Sequence, residues 1–173
     1  MSQAVPPEHS PTRFSIYFNT HENRMDGFRS SGFVGEDSLE FSFLEAGLLT
    51  IQGEISCLGD IVIRVGKTLI VLDDGTADPP VQTVLYAYNA SVRGYGSLLR
   101  HDNSHKYPGH ADERHRHEYD WRTGEHLPGS PSWVGPHGWP TLGKFMEEVE
   151  QWYWKHREEL PNPEGYGALD VRG

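Results

Sequence analysis

His115 and His117 stand two residues apart in a segment, Arg114 to Trp121, whose texture reads as extended chain. In a strand that spacing projects both imidazoles and Tyr119 from one face, and leaves Arg114, Arg116, Glu118 and Asp120 on the other. If Arg100 to Asp102 is the neighbouring antiparallel strand, the intervening loop carries His105 and His110 over the same end of the sheet. Imidazole titrates near neutrality, so two histidines can serve as general base and general acid in one turnover. A guanidinium offers a planar fork of donors to phosphate oxygens, and a carboxylate can orient an imidazole and set its tautomer. His115, His117, His105, Asp102 and Arg100 are therefore the catalytic candidates. Arg116, Asn103, Lys106, Arg93 and Tyr119 are the candidates for holding a substrate. Arg100 suits a structural ion pair with Asp102 equally well.

The same residues admit a second chemistry. His115, His117 and His105 with Asp102 offer nitrogen and oxygen ligands that zinc, manganese or iron would accept. The spacing Gly109, five residues, His115, one residue, His117 matches the start of a cupin motif, but Trp121 and Arg122 occupy the places of its glutamate. The leading reading needs no metal or other cofactor. A strand with alternating histidines is also what a solvated sheet face looks like. His101, His110 and His126 read as surface residues, and His9, His21 and His156 as incidental. Trp121, Trp133 and Trp139 suit core positions near a helix start better than a base-stacking platform. Gly94 and Gly96 are turn glycines, since no helix follows them as a phosphate-binding loop requires.

The elements that must position these groups follow from periodicity. Leu49, Ile51, Ile55 and Cys57 alternate with polar residues, Gly59-Asp60 punctuates, and Ile61 to Leu72 resumes, which is a hairpin signal. A third strand runs from Val81 to Ser91, then come Leu98 to Asp102 and Arg114 to Trp121. From Thr141 the apolar residues Leu142, Phe145, Met146, Val149, Trp152 and Tyr153 form one helical stripe, capped by Thr141 and stopped by Pro161 near Leu160. The expected fold class is α+β: an antiparallel β-sheet meander of about five strands packed by one long C-terminal amphipathic helix. Residues 1–38 read as a flexible extension, with Phe14 to Phe18 as its one edge strand. Residues 39–160 read as a single α+β domain and 161–173 as a disordered tail.

Composition narrows the class. The chain has 173 residues, a formal charge of -10 and one cysteine. One domain is expected at this length, and a lone Cys57, read as a small buried apolar residue, points to a reducing cytoplasmic setting. Met1 to Thr12 lacks the apolar run of a signal peptide, and no eighteen-residue apolar stretch suggests a membrane span. The negative average disfavours non-specific coating of nucleic acid. Between Arg93 and Arg122, however, six basic residues meet five acidic ones, so this window is locally reversed.

The order of features from Tyr86 to Trp152 resembles the TumE-like family of bacterial toxin-antitoxin system toxins. The residues that carry it are Tyr88-Asn89-Ala90, Leu99-Arg100-His101-Asp102-Asn103 with His105, the run His115 to Trp121, and Trp139-Pro140-Thr141-Leu142. Matched position by position, the polar residues are Arg100, Asp102, Asn103, His105, His115 and His117. The resemblance implies a growth-inhibiting toxin that cuts RNA and is held in check by a cognate antitoxin protein. Departures from the pattern are the long N-terminal segment, the single residue between His115 and His117, and the acidic composition. The leading expectation is a metal-independent RNA endonuclease; a metal-dependent nuclease or hydrolase and a non-catalytic partner-binding protein are the alternatives. Partners would be the antitoxin and RNA, with no membrane, and a homodimer is admitted.

Overall fold

Three long strands rich in β-branched and aromatic residues make the centre of the protein: two that form a hairpin, β4 (Leu48–Cys57) and β5 (Ile61–Val71), and β6 (Pro80–Val92), which follows them. In this computed structural model, which describes residues 9–104, 108–109 and 112–170, the elements run β1 (Thr12–Arg13), α1 (Phe14–Ser30), β2 (Val34–Asp37), β3 (Glu40–Leu44), β4 (Leu48–Cys57), β5 (Ile61–Val71), β6 (Pro80–Val92), β7 (Ser97–Asp102), β8 (His115–Glu118), β9 (Ser132–Trp133), α2 (Gly135–Gly138) and α3 (Leu142–His156). The class is α+β, with one antiparallel sheet of nine strands among the described residues. Its main path is β2-β4-β5-β6-β7-β8-β9, with β1 on β6 and β3 on β4. The sheet is thus wider than the five strands expected, because the short strands β1, β2, β3 and β9 lie in segments whose composition hides them.

The β4–β5 connection turns at Gly59 and Asp60, both with positive φ, as a tight right-twisted hairpin requires. Register then divides the side chains between two faces. Ile61, Ile63, Val65 and Leu69 of β5 lie buried on the inner face, while Arg64 and Gly66 face outward. Residues opposed in an antiparallel ladder share a face. Tyr88, His101 and Arg116 therefore line up on the inner face. The rows Ala87, Asp102, His115 and Asn89, Arg100, His117 lie on the outer one.

Both long helices cover the inner face. Helix α3 begins as its sequence dictates: the Thr141 hydroxyl accepts from the Lys144 amide at 3.2 Å, and Leu142, Phe145, Met146, Val149 and Tyr153 are buried. It ends at His156, four residues short of Leu160, and a single 3₁₀ turn completes the approach to Pro161. Helix α1 corrects the expectation of a flexible extension with an edge strand at Phe14 to Phe18. Phe14, Tyr17, Phe18, Met25 and Phe28 repeat at helical spacing, and Met25 and Phe28 are buried. Phe14 and Phe18 meet Phe43 and Phe41 of β3 with ring centroids 5.0 and 5.2 Å apart. The first turn is capped from a distance, since the Ser15 amide donates to Asp78 Oδ1 at 2.8 Å. No helix among the described residues is long and apolar enough to cross a membrane.

Residues 162–170 also depart from the expected disorder; 171–173 lie outside the described residues. The Gly167 amide donates to the Cys57 carbonyl at 3.1 Å, the Asp170 amide donates to Glu54 Oε1 at 2.9 Å, and Tyr166 bridges Leu58. Backbone hydrogen bonds, not apolar burial, hold this segment, so a hydropathy pattern has nothing to reveal. Trp121 and Trp139 are core residues, as is Cys57, whose thiol burial pushes up. His9, expected to be incidental, is buried against Trp139 with centroids 3.4 Å apart. Met25→Ala would test the place of α1 in the core: truncating this buried side chain should cost about 2–5 kcal/mol in urea unfolding, where a mobile extension would lose nothing.

Candidate functional site

Asp102 is the last residue of β7 and is fully buried on the outer face. Arg100, two residues earlier on the same face, donates through Nε to Asp102 Oδ2 at 2.6 Å. Across the ladder, His115 Nε2 lies 2.9 Å from Asp102 Oδ1, and the Ser104 amide and hydroxyl donate to the same oxygen at 3.2 and 3.1 Å. Burial works against an ionised carboxyl here. Arg100, His115 and Ser104 more than offset it, so Asp102 titrates below its usual value.

His115 is fully buried, and its Nδ1 lies 2.8 Å from the Glu113 carbonyl. A carbonyl only accepts, so Nδ1 carries a hydrogen and the ring presents Nε2 to Asp102. The edge of His115 meets the His117 ring, with centroids 4.8 Å apart and planes at 79°. His117 in turn stacks on Tyr119, and its Nδ1 lies 3.0 Å from His126 Nε2. The result is a continuous polar row, Arg100, Asp102, His115, His117, His126, from half-exposed guanidinium to exposed imidazole. Burial lowers the His117 pKa to about 4, with the neighbouring His115 adding to the effect, so this ring is neutral at pH 7.

The row opens at Arg100 into a trough on the outer sheet face, a cavity of about 640 Å³ lined by Gly66, Ala87, Asn89, Arg64 and Glu54 among others. Its floor is open because Gly66 has no Cβ, and one placed there would meet nothing. Asp102, His115 and His117 each present one ligand atom within 4.8 Å of the others, so these three could hold a metal ion.

Several residues lie elsewhere than expected. His115 and Asp102 do share one face with Arg100, but both are fully buried. Arg116 lies on the inner face, where it pairs with Glu148 of α3 and, at 2.7 Å, with Glu118. Asn103 spends its amide on the backbone of β6, accepting from the Tyr86 amide at 2.9 Å and donating to the Val84 carbonyl at 3.0 Å. Arg93 ties the C-terminal segment down, donating to the Ala168 carbonyl at 2.9 Å and to Glu54 at 3.2 Å. His105, Lys106 and His110 lie outside the described residues. Tyr119 does join the row.

Of the two described histidines read as surface groups, His126 is one and His101 is not. His101 is buried on the inner face, edge-on to Phe145 and 3.5 Å from Glu148. Its place was readable, since it alternates with Arg100 and Asp102. His126 is exposed, yet its bridge to Tyr119 brings it to His117. No local spacing signals that contact, because the turn at Asp120 to Gly124 folds it back. Comparison with protein-family models, curated proteins and solved structures finds no match for the chain.

The lowered pKa of His117 makes a stability prediction. An unfolded chain takes up this proton as pH falls through about 6.5, while the folded ring resists until about 4, so stability is present above that window and is lost on acidification within it. Melting curves between pH 7.5 and 4 should show a steeper acid loss for wild type than for His117→Gln; parallel curves would remove His117 as the cause.

Proposed function

We propose that the protein is the toxin of a bacterial toxin-antitoxin system, acting in the cytoplasm as a metal-independent RNA endonuclease. What carries the reading is the juxtaposition of Arg100 with the His117 and His126 pair on one sheet face, beside a trough. The resemblance of Arg100, Asp102, Asn103, His115 and His117 to the TumE-like pattern supports the same class. The proposed step needs no external nucleophile. A ribose 2′-hydroxyl gives its proton to the His117 and His126 pair, and the freed oxygen attacks the adjacent phosphorus. The bond to the 5′-oxygen breaks, that oxygen takes a proton from the pair, and a 2′,3′-cyclic phosphate remains. Arg100, its Nε held by Asp102, offers its remaining N–H groups to the phosphate oxygens, where charge builds in the transition state. The antitoxin is a protein partner, and the acidic bulk of the chain suits a basic one.

This reading predicts that purified protein cuts RNA, spares DNA and keeps its rate in EDTA, with cyclic phosphate termini identified by mass spectrometry. Cleavage of DNA at an equal rate would overturn it. A second reading rests on one observation, the convergence of Asp102, His115 and His117 within 4.8 Å. Complete loss of cleavage in EDTA, restored by zinc or manganese, would move the assignment to a metal-dependent hydrolase.

In growing bacteria, induced wild type should arrest growth and His117→Ala should not. Equal arrest by both would remove this strand from catalysis, and arrest by neither would favour a non-catalytic partner-binding protein. Gly66→Leu should fill the trough floor and lower RNA cleavage by about tenfold or more while the melting temperature stays close to wild type, since the added side chain meets open space.

A further inference from the structure

On the inner face, away from the histidine row, the sheet buries a charge that the proposed chemistry does not use. Lys67 of β5 alternates with Val65 and Leu69 and is only 7% exposed. Among the described residues no carboxylate lies within ion-pair distance of its ammonium. Its polar neighbours are the phenols of Tyr17 and Tyr88, and Nζ sits 5.1 Å from the centre of the Tyr17 ring. Burial opposes the charge of Lys67, and the two phenols more than offset that, so the ammonium stays protonated. A buried cation without an anion is a costly arrangement, and native interiors normally supply a counter-charge.

Lys67 lines a cavity of about 420 Å³ between α1, the start of α3 and the sheet. Met25, Leu142 and Met146 give it an apolar wall, and the hydroxyls of Thr20, Thr83 and Thr141 edge it. Arg24 and Glu147, also on its lining, neutralise one another at 2.8 Å. The only lining carboxylate among the described residues is therefore already engaged. Beside the engaged Arg24, two lysines, the buried Lys67 and Lys144, line the cavity with an apolar wall and scattered hydroxyls, which suits a ligand with an anionic head and a hydrocarbon body.

We propose that this cavity binds a small organic carboxylate, whose anion pairs with Lys67 and whose apolar body packs on Met25, Leu142 and Met146. The site is separate from the outer-face row, and its occupancy does not depend on whether the protein cleaves RNA.

The test uses the full chain with benzoate and hexanoate as probes, benzamide and hexanamide as uncharged controls, and inorganic phosphate as a control for general anion binding. Calorimetry and thermal melting should show that a carboxylate binds and raises the melting temperature, while its amide does neither. Lys67→Met should weaken the carboxylate by about tenfold or more, the loss of one charge-assisted contact. Thr20→Trp, at an exposed position on the cavity lining, should weaken it with Lys67 intact, and keeps the test open if Lys67→Met does not fold. No binding of either carboxylate, equal binding of the amides, a preference for phosphate, or unchanged affinity in Thr20→Trp would each overturn the proposal.

Discussion

The outer face of this protein is organised around one carboxylate out of reach of water. Asp102 would be expensive to bury alone, and the neighbouring chain supplies what makes its charge tolerable: the Arg100 guanidinium, the Ser104 amide and hydroxyl, and the His115 ring. The dependence runs in both directions. Arg100 has its fork aimed because Asp102 holds Nε, and His115 has its orientation fixed between Asp102 and the Glu113 carbonyl. The His115 edge then limits where His117 can lie, and His117 limits His126. A guanidinium and two imidazoles thus acquire definite positions from one buried anion, much as an outer layer of hydrogen bonds orients the reacting groups of many active sites.

The sheet makes this possible by keeping its two faces chemically distinct. Inside, apolar side chains from β4, β5 and β6 meet the stripes of α1 and α3, and this burial supplies most of the driving force for folding. Outside, small residues such as Gly66 and Ala87 leave room where a larger side chain would stand. The inner layer is not purely apolar. His101, Arg116 and Glu148 form a polar tie between β7, β8 and α3, and Lys67 stands among aromatic rings.

Much of this was legible in the chain, for identifiable reasons. The stripe of α3, its Thr141 cap and the alternation along β4 to β8 are strong local signals, and they carried the fold class and the shared face of His115, His117 and Tyr119. What was hidden depends on partners distant in sequence. Helix α1 has a regular stripe, but its Ser, Asn and charged residues read as loop until Asp78 caps it and β3 covers it. Arg116 and Arg93 look like available cations in a one-dimensional view; in three dimensions Glu148 and Glu54 have already claimed them. Asn103 looks like a recognition group until the β6 backbone is seen beside it. The contact of His126 with His117 arises from a turn, which no spacing rule encodes.

Strand β8 is only four residues long, yet its odd and even members serve different masters: His115 and His117 belong to the outer row, Arg116 to the tie with α3. Parity in so short a segment is an all-or-nothing property. Losing or gaining a single residue there would send the imidazoles toward the helix and the guanidinium out to the trough. The histidine row and the docking of α3 are for this reason one inheritance: the segment can vary in letters, but scarcely in length.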